Sequence, residues 1–148
     1  MRSFRAVFNY LTRLRSSLRS TRAAAPKGVS VPGKFQEYKA NAEQGDAEAQ
    51  FNLGWCYDDG RGVARDYAEA VKWYRAAAEQ ELADAQCNLG LCYQTGRGVD
   101  QSDAAAVKWF VRAARQGNKT AQHNLGLHYA SMEAAEAAAL EAYKNTPR

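Results

Sequence analysis

The first 36 residues contain no aspartate or glutamate, and nowhere does an apolar run approach the roughly 18–20 residues that a membrane-spanning helix needs. Only three prolines interrupt the chain, and β-branched residues are sparse, so little in it breaks helices or favours strands. Three cysteines, an odd number without the regular pairing of a small secreted scaffold, give no reason to expect a disulfide framework, and a reducing compartment or inert thiols fit better. What is abundant is alanine, in runs such as Ala76-Ala77-Ala78, Ala104-Ala105-Ala106 and Ala137-Ala138-Ala139. Alanine is the best helix former, so the composition predicts an all-α fold. With 148 residues, 46% of them hydrophobic and 24% charged, the chain is long enough for one domain and short of two.

The missing acids divide the charge. Residues 1–36 carry eight Lys or Arg, which leaves 12 basic against 16 acidic residues in the remainder, a net of −4 inside a chain of net +4. The sequence pI of about 9.0 therefore belongs to the N-terminal arm. In "MRSFRAVFNYLTRLRSSLRSTR", Phe4, Phe8, Leu11 with Leu14, and Leu18 fall on one helical stripe, while Arg2, Arg5, Arg13, Arg15, Arg19 and Arg22 lie mostly off it. An amphipathic, Arg-rich, Ser-rich and acid-free segment has the composition of an organellar presequence, and Arg13 and Arg15 interrupt the apolar core that a secretory signal needs. Residues 1–25 are accordingly expected to be a targeting arm that engages import machinery, with a mitochondrial destination. Residues 26–34, with two prolines and two glycines, are expected to be a linker. The alternatives at this point are a retained arm that binds anionic lipid or nucleic acid, or a plain basic tail on a cytoplasmic protein.

Beyond the arm the chain repeats itself. Residues 45–80 overlie 81–116 without a gap at a constant offset of 36, pairing Ala49-Gln50 with Ala85-Gln86, Asn52-Leu53-Gly54 with Asn88-Leu89-Gly90, and Gly60-Arg61-Gly62-Val63 with Gly96-Arg97-Gly98-Val99. A half copy, 35–44, precedes them through "YKANAEQ", and a degenerate third, 117–146, follows with Ala121-Gln122 and Asn124-Leu125-Gly126 in register. In that third copy Met132 and Ala134 stand at the two loop-glycine positions, and the unit is expected to be shortened. A period of this size marks a solenoid, whose units bury their apolar faces only against one another. Each unit reads as two helices. The first ("helix A") covers "DAEAQFNLGWCYDD", with Ala49, Leu53 and Tyr57 inward, and the second ("helix B") covers "YAEAVKWYRAAAEQ", with Ala70, Trp73 or Tyr74, and Ala77 inward. Helices on both sides, and no following Lys-Ser or Lys-Thr, make "GRGV" a tight turn and not a phosphate loop.

These residues resemble the Sel-one-like repeat family, a relative of the tetratricopeptide repeats. Its pattern is met at Ala49, Leu53, Gly54, Tyr57, Gly60, Gly62, Val63, Ala70, Trp73, Ala77 and Ala78, and again at Ala85, Leu89, Gly90, Tyr93, Gly96, Gly98, Val99, Ala106, Trp109, Ala113 and Ala114. The resemblance implies an α/α solenoid of antiparallel helix pairs, a tetratricopeptide-like superhelix, that acts as an adaptor in protein complexes.

Little in the sequence points to chemistry. Cys87, Cys92, His123 and His128 include the usual number of zinc ligands, but each pair is five apart on a helix, so its side chains diverge by roughly 140°. Phe51, Cys87 and His123 share one repeat position, which reads as packing, and no metal, cofactor or small-molecule substrate is expected. Asp58, Asp59 and Asp66 read as helix-end and solvated charges and not as a catalytic pair, so no enzyme activity is expected. The candidate binding face is a ladder on helix A: Asn52, Asn88 and Asn124, with Glu48 and Asp84 at i−4 and Trp55, Leu91 and Leu127 at i+3. Helix A lines the concave side in stacked hairpins of this kind, so these residues are expected to meet a protein partner, with nucleic acid not expected. The other reading of the asparagines is that they bond within the scaffold and bridge successive repeats. Besides a recruiting adaptor, a structural subunit buried in a large mitochondrial assembly fits the same features.

Overall fold

The computed structural model describes residues 33–144. The expected targeting arm, its arginines and most of the linker lie outside them. Among the described residues there are six helices and no strand: α1 (Lys34–Glu43), α2 (Ala47–Asp59), α3 (Tyr67–Glu79), α4 (Ala83–Thr95), α5 (Asp103–Arg115) and α6 (Lys119–Lys144). They fall into two compact units, divided inside α6 between Gln122 and His123.

In the first unit α1 to α5 pack in sequence order, each on the next, as an α/α solenoid of antiparallel pairs. α2 and α4 are the helix A members, α3 and α5 the helix B members, and α1 is the helix B of the half copy. Local chemistry sets the ends. Asp46 Oδ1 accepts from the Ala49 N–H at 2.7 Å, Asp66 Oδ1 from those of Ala68 and Glu69, and Ser102 Oγ from that of Ala105. Gly60 and Gly96 close α2 and α4 in the left-handed region at φ 72° and 68°, so that the following Arg61 and Arg97 N–H groups reach back to the Cys56 and Cys92 carbonyls.

Alternating large and small residues build the core. Leu53, Leu89, Tyr74 and Phe110 are fully buried, and Ala77, Ala78, Ala85 and Ala113 let the helices between them approach. Of the two aromatics offered for the inward position of helix B, Tyr74 takes it and Trp73 stays half-buried. The Tyr74 ring lies against Gly54, where an added Cβ would sit 2.7 Å from Tyr74 Cδ1. Phe110 repeats the arrangement at Gly90, also at 2.7 Å. Val63 and Val99 pack on the cluster from the turns, which closes the end of each pair.

The second unit, among the described residues, is the part of α6 from His123 onward. Where the other repeats turn at Gly60 and Gly96, α6 runs straight through to Lys144. Met132 and Ala134 have side chains that oppose the left-handed conformation a turn needs and support the helix instead. The third repeat is therefore one uninterrupted helix and not a shortened hairpin.

Candidate functional site

On the helix A face Glu48 and Asp84 are exposed, Asn52 is half-buried, and Trp55, Asn88 and Leu91 are buried. The Arg61 guanidinium lies 4.4 Å over the Trp55 ring, and Asp84 accepts from Asn118 Nδ2 at 2.8 Å. In the second unit Asn124 is buried and Leu127 half-buried. The asparagines share one property: Asn52 Oδ1, Asn88 Nδ2 and both amide atoms of Asn124 are buried without a hydrogen-bond partner. Asn88 Nδ2 lies near the Tyr74 hydroxyl and opposes the rise of its pKa, but outside hydrogen-bond geometry.

One set of polar bridges between the repeats is made by glutamines. Gln50 Nε2 donates to the Ala42 carbonyl at 3.2 Å, while its Oε1 accepts from Gln80 Nε2 at 2.8 Å. One repeat later Gln86 Nε2 donates to the Ala78 carbonyl at 3.1 Å and its Oε1 accepts from Gln116 Nε2 at 2.9 Å. Gln122 continues the series onto the Ala114 carbonyl at 3.2 Å. Sequence reasoning set Gln50 against Gln86 without assigning them a role. The signal was present in a polar residue recurring every 36 positions beside the buried Ala49 and Ala85.

Glu81 joins this ladder. It occupies the position held by Gly45 and Gly117, and it is the one non-glycine among the described residues with positive φ, 63°. Its carboxylate accepts from Gln86 Nε2 at 2.9 Å and pairs with Arg112, and these bonds hold its pKa below the ordinary value.

A second bridge corrects the reading of Asp58 as a solvated charge. Its side chain is 12% exposed, and its Oδ2 accepts from Arg97 Nη2 of the next repeat at 3.2 Å and lies 3.5 Å from the Tyr74 hydroxyl. Burial raises the Asp58 pKa, against the opposing pull of Arg97 and Tyr74. Asp58 Oδ1 and Arg97 Nε remain without partners. Asp66 is the helix cap already described, and Asp59 pairs with Arg61.

Cys56, Cys87 and Cys92 are free and buried, with burial pushing their thiols up to about 11, about 12 and about 11. His123 is exposed and His128 half-buried in the second unit. Among the described residues no three of His, Cys, Asp or Glu gather as metal ligands would.

Stacked hairpins of constant period, joined by recurring geometry at glycine, glutamine and turn, define the class of helical repeat scaffolds. The repeats themselves are Sel1 repeats: the Sel1 repeat family model matches residues 47–82 and 83–118. Repeats of this type generally build non-catalytic protein-interaction scaffolds. Among solved structures the chain is similar to a protective antigen of uropathogenic Escherichia coli displaying an SLR fold, at 42% identity and a TM-score of 0.64, over 64% of this chain and 20% of that one. A Sel1 repeat protein from Oxalobacter formigenes is 44% identical with a TM-score of 0.62, over 64% of this chain and 39% of that one. Cysteine-rich protein B of Helicobacter pylori is 29% identical with a TM-score of 0.58, over 60% of this chain and 67% of that one. The chain thus spans well under half the length of the first two. No curated protein matches it significantly.

Proposed function

We propose that the protein is a non-catalytic adaptor that holds a protein partner against the helix A face of its repeats, and that its N-terminal arm directs it to mitochondria and is then removed. The observation that supports the adaptor reading is the contrast between two ladders two residues apart, on different sides of the same helices. The glutamine at each repeat has its hydrogen bonds made inside the scaffold, whereas Asn52, Asn88 and Asn124 each keep amide atoms unmet. An unmet buried amide costs about 1–3 kcal/mol, and the fold accepts that cost at the same position in every copy. A partner segment lying on the helix A face of the first unit meets the exposed acids Glu48 and Asp84 and the half-buried Asn52, and the buried amide atoms of Asn52 and Asn88 reach its backbone N–H and C=O groups by a change of rotamer.

Purified wild-type chain and the Asn52→Ala, Asn88→Ala double variant, crosslinked in extracts of the source cells and compared by mass spectrometry and thermal melting, test this. The expected outcome is a partner held by wild type and released at least about tenfold by the variant at similar melting temperature. Lower stability with unchanged binding per folded molecule overturns it. The arm is tested by terminal peptide mass on the protein from its own cells: a start between Ala23 and Lys34 in an organelle fraction supports import, and an intact arm in the cytosol or on other membranes sinks it.

A second reading, permanent residence in a larger mitochondrial assembly, is favoured by one observation: Tyr129, Met132 and Leu140 of the second unit are 53%, 47% and 55% exposed. Co-migration with a large complex through high-salt washing distinguishes it from reversible recruitment.

A further inference from the structure

The third helix A is dressed for a helix B that the described residues do not supply. At Gly54 and Gly90 an added Cβ would meet the Tyr74 and Phe110 rings at 2.7 Å, while at Gly126, the same repeat position, it would meet nothing within 4 Å. The neighbours agree. Gln122 and His123 are exposed where Gln50, Gln86, Phe51 and Cys87 are buried. Tyr129, 53% exposed, stands where Tyr57 and Tyr93 are half-buried. Tyr129, Met132, Glu136 and Leu140 follow at spacings of three, four and four, so they extend the bare stripe along the same side of α6.

We infer that this face of α6 is a docking site for a helix of a partner protein with the character of α3 and α5: an aromatic ring seated on Gly126, alanines beside it, and a basic flank. The chain's own internal repetition says what covers such a face, because the glycine at the same position in the two earlier copies, each within Asn-Leu-Gly, is covered by a helix of the pattern A-V-K-W-aromatic. Charge points the same way. The bare face itself carries Glu133 and Glu136, and α5 carries Lys108, Arg112 and Arg115. The site is distinct from the asparagine face and does not rest on it.

Its test uses the full chain and a fluorescently labelled synthetic peptide with the sequence of residues 102–116, read by anisotropy. Binding to wild type is expected, weakened about tenfold or more by Gly126→Ala in the protein and likewise by alanine in place of the phenylalanine in the peptide. Gly126→Ala has open space around its new methyl and gains helix propensity, so its melting temperature should hold or rise, and a lost signal then reports docking and not unfolding. No binding up to about 1 mM peptide overturns the proposal. So does binding that Gly126→Ala leaves unchanged, since the peptide would then be lying elsewhere, for instance in the place of α5.

Discussion

A methyl group placed on Gly54 or Gly90 points into a ring that is itself fully buried and cannot step aside, so the clash at 2.7 Å outweighs the gain in helix propensity. Gly54→Ala and Gly90→Ala should each lower stability by about 1–2 kcal/mol in denaturant melts, whereas Gly126→Ala should not. At Glu81 the left-handed backbone is strained and the carboxylate is useful. Glu81→Gly loses the carboxylate but relaxes the backbone, Glu81→Ala loses it and keeps the strain, and the glycine variant should therefore melt higher. The three thiols ionise near 9 in the unfolded chain and only at about 11 to 12 when folded, so the native state holds more protons above pH 9. Stability should accordingly fall as pH climbs past 9, and native cysteines should react with thiol reagents at neutral pH only as fast as the protein opens. The glycines at tight contacts were legible in the sequence, because a residue without a side chain, recurring amid a buried stripe, marks a point where a neighbouring element comes close. The fate of Asp58 was not: what buries it is Arg97, 39 residues away, and no local pattern announces that.

Helices α2 to α5 could be read to within a residue or two because caps and breakers coincide with the hydrophobic period. Asp46, Asp66 and Ser102 open helices, and Gly60 and Gly96 close them. α6 shows the converse. Its sequence keeps the repeat's packing residues but not its turn glycines, and the backbone follows the glycines. Met132→Gly with Ala134→Gly should end the helix early. Hydrogen exchange is expected to accelerate beyond residue 132, at a loss of about 1 kcal/mol per glycine, while residues 119–131 stay protected. The proposed binding face was only half legible. Periodicity located the asparagine ladder, but burial of Trp55 and Leu91 depends on what lies over them, as Arg61 does over Trp55.

Among the described residues, neighbouring repeats are tied by polar bonds that include the glutamine ladder, the Asp58–Arg97 pair, Arg75 to the Tyr93 hydroxyl and Asn118 to Asp84, over a core of small and aromatic residues. Arg97→Ala removes the cation and leaves a largely buried carboxylate. The loss should be about 1–2 kcal/mol, below the range for a fully buried pair because the Arg97 side chain is 37% exposed. Burial already raises the Asp58 pKa, so the folded state penalises its ionised form, and the variant should lose more stability at pH 7 than at pH 4. A shallower denaturant slope in the same experiment would report that the two repeats have begun to unfold apart. The glutamine ladder also gives the stack a direction. Each rung passes its donor to the helix before it and receives a donor from the helix after it, so the two ends of any such stack are chemically unlike, as plug and socket are. Inheritance can therefore lengthen or trim this architecture only in whole 36-residue steps that rejoin plug to socket. Any other insertion or deletion within a helix strands a rung.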